Sequence, residues 1–228
     1  MNIRLGLTSI LAFGWILICN CGVALTPRLT AKVPADARTE LVRINLFYGE
    51  AGNVYGLNFG LANIVEHDLI GAQIGIINGA TKASGIQIGL VNNSTPAYGL
   101  LKIGALNLNF FLDSGRRSVE ESPESRDRRM KGDAGLSIGI ANIASGRMNI
   151  GFFNYGYGWN LGAINWNDEG SAVSLGVINL GEKENFQIGI LNFCKDGPIP
   201  FMIVVNYCNS NSTRDSLKRE KPRDSEMK

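Results

Sequence analysis

One seven-residue box recurs along this chain and constrains it more than any other feature. "AQIGIIN", ending at Asn78, returns as "IQIGLVN", ending at Asn92, each with a glycine just before it. Aligned on the asparagine, the box occurs ten times, closing at Asn63, Asn78, Asn92, Asn107, Asn142, Asn154, Asn165, Asn179, Asn192 and Asn206. Nine copies carry glycine three residues earlier, at Gly60, Gly75, Gly89, Gly104, Gly139, Gly151, Gly162, Gly176 and Gly189; Ile203 takes that place in the last. The consensus is apolar, polar, apolar, Gly, apolar, apolar, Asn. Successive asparagines lie 11 to 15 residues apart, with one gap of 35. Repetition at a near-constant period specifies an array of similar units.

Alternation identifies the unit as a β-strand. In the box ending at Asn92, Ile86, Ile88, Leu90 and Asn92 share one face, and Gln87, Gly89 and Val91 share the other. A helix would carry a central glycine in nearly every copy, at about 1 kcal/mol each. One box buries too little to order itself, so the copies must stack into one cooperative body. The expected fold is therefore all-β, a two-sheet β-solenoid with two boxes to each coil of about 28 residues. An antiparallel up-and-down meander or barrel is the alternative. A membrane-spanning barrel fits less well, since its strands need about 9–11 residues and its connections alternate between short and long.

The apolar face is expected inside, with the asparagine on it. An unpaired amide there would cost about 1–3 kcal/mol. Two roles remain open for it: a ladder of identical amides in successive layers, or a cap on its own turn. The glycine implies a bend or a close approach of neighbouring backbone.

Charge avoids the boxes. Lys102 is the only Asp, Glu, Lys or Arg inside any of them, and the formal charge of +2 provides no field for nucleic acid. Residues 113–133 read "DSGRRSVEESPESRDRRMKGD", with six basic and six acidic side chains. That composition cannot build a core. The expected organisation is a signal peptide over 1–20, a lipidated N-terminal linker over 21–40, four boxes over 41–112, a charged flexible insertion over 113–134, six boxes over 135–207 and a charged disordered tail over 208–228.

The N-terminus carries one positive charge within Met1–Arg4, then an apolar run of fourteen residues from Leu5 to Ile18. The run is short for a spanning helix and suits a secretory signal. It ends in "LICNC", which resembles a bacterial lipoprotein box of the looser spirochaetal kind, with Cys21 as the lipidated residue. Cleavage after Ala24, or retention as an anchor, are the competing readings. Cys194 and Cys208 remain, and two boxes per coil would hold them far apart as two thiols.

The boxes "GAQIGIIN", "GIQIGLVN" and "FQIGILN", with the closing "GPIPFMIVVN", resemble the surface-repeat lipoproteins of Leptospira and related spirochaetes. The resemblance covers roughly residues 41–206. It implies a lipid-anchored outer-membrane protein, surface-exposed or else periplasm-facing or secreted, with a structural or adhesive role and no established activity. The missing glycine at Ile203 suggests a capping strand.

Catalysis finds no support in the residues. The single histidine, His67, sits between Glu66 and Asp68 as a solvated loop residue. No nucleophile–base pair, metal-ligand cluster or nucleotide fingerprint is present, so no enzyme activity, cofactor or metal is expected. The implied partners are a membrane, through the lipid, and an unidentified protein or host surface. The apolar residue before each asparagine, and the aromatic run "GFFNYGYGWNLGAINW" over 151–166, are candidate contact groups if they face outward.

Overall fold

The computed structural model describes residues 20–109, 135–168, 170–182, 184–195 and 197–209. Of the expected segments, the signal peptide up to residue 19, the flexible insertion and the tail beyond residue 209 lie outside the described residues, while Cys208, expected in the disordered tail, ends the last strand. Thirteen strands form one wound sheet: β1 (Cys21–Thr26), β2 (Leu29–Val33), β3 (Thr39–Ala51), β4 (Asn53–Ile74), β5 (Ile77–Ile88), β6 (Val91–Ile103), β7 (Leu106–Leu108), β8 (Gly135–Ile143), β9 (Met148–Tyr155), β10 (Gly158–Asn167), β11 (Ala172–Gly181), β12 (Asn185–Cys194) and β13 (Phe201–Cys208). From β3 to β12 every pairing is parallel. The molecule is a β-solenoid of about nine turns. An antiparallel meander or closed barrel is thereby excluded.

Each box makes one full coil. Asn165 lies beside Asn154 on one side and Asn179 on the other, and Gly162 lies between Gly151 and Gly176. The expected two-box coil of twice that length is incorrect. A coil of 11 to 15 residues has a perimeter of roughly 36–50 Å at about 3.3 Å per residue, which leaves a narrow interior. That interior decides which face turns in.

It is the polar face. Gln73, Gln87, Lys102, Ser137, Asn149, Asn160, Ser174 and Gln187, all at the second box position, are completely buried. Ile86, Ile88 and Leu90 are exposed, as are their counterparts Phe186, Ile188 and Ile190. The expected inward apolar face is therefore wrong. The chain bends at the glycine, and beyond this corner the strand phase shifts so that the asparagine also points in.

The asparagines form one continuous ladder. Asn63 Nδ2 donates to Asn78 Oδ1 at 3.0 Å, and the same bond repeats through to Asn179 and Asn192 at 2.8 Å. The second amide hydrogen of Asn78, Asn92 and Asn165 goes to the carbonyl just before the next coil's glycine: Ile88, Ile103 and Leu175. One side chain thus serves both roles left open by the sequence, but it caps the turn of the following coil. The ladder passes straight across the insertion, Asn107 donating to Asn142 at 2.8 Å across a sequence separation of 35. The glycine is explained by the same stacking. A Cβ at Gly162 would overlap the carbonyl oxygen of Gly151 and crowd Asn154 Nδ2.

Both ends depart from the repeat. Residues 21–40 are not a linker: β1 and β2 form a hairpin, and β1 adds in parallel to β3. In β3 the ladder position is Gly49, and the side chain of Asn45 fills the space, donating to Asn63 Oδ1 at 2.8 Å. Arg43 Nε donates in turn to Asn45 Oδ1, while its Nη1 binds the Glu40 carboxylate at 2.9 Å; both residues are buried. At the other end β13 runs antiparallel to β12, a capping strand without the box glycine. Asn206 faces Gln187, not Asn192, so it does not extend the ladder. Reversal of β13 brings Cys208 beside the coil closure, where it is disulfide-bonded to Cys194. The expectation of two thiols fails for two reasons: the coil is half as long as expected, and the last strand reverses.

Candidate functional site

The outward side chains of the boxes form an apolar surface that extends over successive coils. The first and third box positions lie on one arm of the coil, before the glycine corner. Register stacks them into two columns. The third-position column runs through Phe59, Ile74, Ile88, Ile103, Ile138 and Ile188. The first-position column includes Leu57, Ile86, Met148, Trp159 and Phe186. No Asp, Glu, Lys or Arg occurs in either column between β3 and β12. Monomeric proteins rarely leave a continuous apolar surface of this kind open, and such patches mark contact with membranes or partners.

The fifth box position, at the corner, projects furthest: Ile140 is 65% exposed and Phe152 62%. Shallow grooves run beside it, one lined by Leu161, Gly162, Leu175, Val177 and Ile188. The residue before each asparagine does not turn inward. Ile77 is exposed, and Val91, Phe153, Ile164, Ile178 and Leu191 are half-buried on the second arm. The aromatic run is likewise external. Phe152, Trp159 and Trp166 are exposed, and Trp166 meets Tyr155 edge-on at 5.5 Å. It is therefore no widening of the core.

Charged groups collect where one box gives way to the next. Glu66, Lys82, Arg147, Glu182 and Lys195 all occupy these connections, with Lys195 paired to Glu182 at 2.8 Å. His67 is exposed there too, within β4 and not in the expected loop, with its backbone N–H bonded to the Gly52 carbonyl. Among the described residues no group of three or more His, Cys, Asp or Glu could hold a metal, and no helix is long and apolar enough to cross a membrane. Near this edge the Tyr48 phenol is pushed up to about 12, first by its hydrogen bond to Glu50 and then by burial.

Cys21, the residue singled out by the lipoprotein-like motif, begins β1 and pairs with Val42, which pairs with Leu57. It therefore stands in the first-position column. The motif alone could not reveal this, since the strand that carries Cys21 has no box. The sequence also concealed the buried Arg43–Glu40 pair at the ladder's head, because neither residue belongs to a repeat.

No family model, curated protein or solved structure matches this chain.

Proposed function

We propose that this protein is a lipid-anchored β-solenoid of a bacterial outer membrane or cell surface, with a structural or adhesive role and no catalysis. The observation that carries this reading is the continuous apolar surface over successive coils, an arrangement suited to contact over area and not to a reaction centre. The lipoprotein-like "LICNC" and the resemblance of the boxes to spirochaetal surface-repeat lipoproteins support the same reading. A pore-forming role has less support, because the inside of each coil is occupied by the asparagine ladder and its buried polar neighbours.

Metabolic labelling with palmitate tests the anchor. Wild-type protein is expected to take up label and to float with membranes, and Cys21→Ser to lose both. Equal labelling of Cys21→Ser would overturn the assignment of Cys21.

A further inference from the structure

Extending the lipid-anchor reading, we propose that the arm bearing the first and third box positions lies flat on the lipid surface that receives the acyl chains of Cys21. The placement of Cys21 is the first observation. Gly22 is buried, and a side chain there would meet Glu40 and Arg43 inside the coil. Strand alternation therefore turns Cys21 and Val23 the other way, and Val23 is 47% exposed. Val23 pairs with Ile44, which pairs with Phe59, so Cys21 and Val23 join the two apolar columns, with Val33 and Ala31 of the edge strand β2 beyond them. Acyl chains on Cys21 would leave the protein from the same face.

The second observation is the uniformity and extent of that face. The capping strand continues both columns, Tyr207 beside Phe186 and Val205 beside Ile188. A 13-stranded sheet with strands about 4.8 Å apart runs roughly 60 Å from end to end. Along it the same aliphatic groups recur, with no ionisable side chain between Val23 and Tyr207 to fix a partner's orientation. Protein and small-ligand sites depend on placed polar groups for that purpose. A hydrocarbon phase does not, and its affinity grows with the apolar area covered.

The third observation is the contrast with the other arm. There Glu50 pairs with Ile64, and Gly79 with Asn93, so its outer columns are interrupted by charge and by an amide. The connections add Glu66, Lys82 and Glu182, while Arg147 sits at the rim of the first arm, in a groove with Met148 and Trp159, where a long side chain reaches back to water. With the first arm against lipid, these groups keep contact with water. Acyl chains on Cys21 hold one end of the sheet at the lipid, and the apolar face adds buried area along its length, with which membrane binding strength scales.

The two tryptophans of the described residues report the two arms. Trp159 lies in the first-position column, while Trp166 lies beyond the asparagine corner. Acylated protein is reconstituted in phosphatidylcholine vesicles whose chains are brominated just below the headgroups. Emission is read from Trp15→Phe/Trp166→Phe and from Trp15→Phe/Trp159→Phe. Trp159 is expected to be quenched more than about twofold and Trp166 only slightly, since a face-down sheet enters the headgroup–acyl boundary. Weak quenching of both in vesicles that carry the protein would overturn the face-down arrangement while leaving the anchor intact; a face covered by a second copy would also produce it. Stronger quenching of Trp166 would assign the lipid contact to the other arm. Acylated protein that fails to float with vesicles would remove the anchor reading itself, and the arrangement with it.

Discussion

Between Asn63 and Asn107 the ladder asparagines are 14 or 15 residues apart, and Val54, Val65, Leu69, Ala80, Ala83 and Leu100 form an apolar cluster inside those coils and the one before them. Between Asn142 and Asn192 the spacing falls to 11–14, and the interior is filled by polar side chains. Asn149 bonds the Gly146 carbonyl at 3.1 Å and Asn160 Oδ1 at 2.9 Å, while Asn160 bonds the Gly156 carbonyl. A longer connection leaves room for branched side chains beside the ladder. A shorter one folds back so tightly that its carbonyls need donors from within, and small polar residues supply them. The first half gains from hydrophobic burial, and the second from polar satisfaction with a covalent closure at its end.

The feature common to both halves should be the most sensitive. Gly75→Ala and Gly162→Ala each force a Cβ into the preceding glycine carbonyl, with the ladder amide beside it. Each is expected to cost on the order of 4 kcal/mol or more in urea unfolding. Tolerance at Gly75 alone would show that the two halves do not share one stacking distance.

The interiors should respond differently. Leu100→Ala removes a fully buried side chain from the apolar cluster and is expected to cost roughly 2–5 kcal/mol. Ser174→Ala, which breaks the bond to Asn185 Oδ1, should cost only about 1–2 kcal/mol. Equal losses would erase the distinction between burial and polar satisfaction.

The covalent closure should act locally. Replacing Cys194 and Cys208 together by serine opens a loop of 14 positions, worth roughly 3 kcal/mol by chain entropy. Hydrogen exchange should rise in β12 and β13 and stay unchanged near Asn63. A uniform rise would mean that all coils open as one unit. Mass spectrometry of unreduced, alkylated protein should find the bridge within one chain.

The smallest effect is titrational. With a phenol pKa raised from 10.0 to about 12, Tyr48 stabilises the folded state fully below the ordinary value and loses that contribution as pH climbs toward 12. Subtracting the ultraviolet titration of Tyr48→Phe from that of the wild type should isolate one late-titrating phenol. A difference centred near 10 would remove the contact with Glu50.

Strands, stacking and the capping role of the last copy were legible because each is a local pattern repeated many times. Which face turns inward was not. Gln87 and Ile88 announce two faces, and the hydrophobic effect by itself would bury the isoleucine. The tight coil reverses that choice, since it admits an amide or hydroxyl bonded to nearby backbone more readily than opposed aliphatic side chains. Coil length was hidden for a related reason: nothing inside one box says whether its neighbour along the chain is also its neighbour in space. The motif singles out Cys21, but its place in an apolar column depends on the pairing of β1 with β3, which no repeat encodes.

The ladder has a direction. From Asn63 to Asn179 each amide gives a hydrogen to the next coil and accepts one from the coil before; Asn45 starts the chain of bonds and Asn192, which donates to its own coil's Gly189 carbonyl, ends it. Any whole coil therefore presents on one side what its successor needs on the other. Internal duplication or loss of a box would rejoin donor to acceptor without inventing a new interface. Only the terminal units resist such copying: Arg43 supplies the first donor, and the reversed strand β13 closes the far edge. Length is thus the property this architecture can change most freely in evolution, and its ends are what selection has to hold.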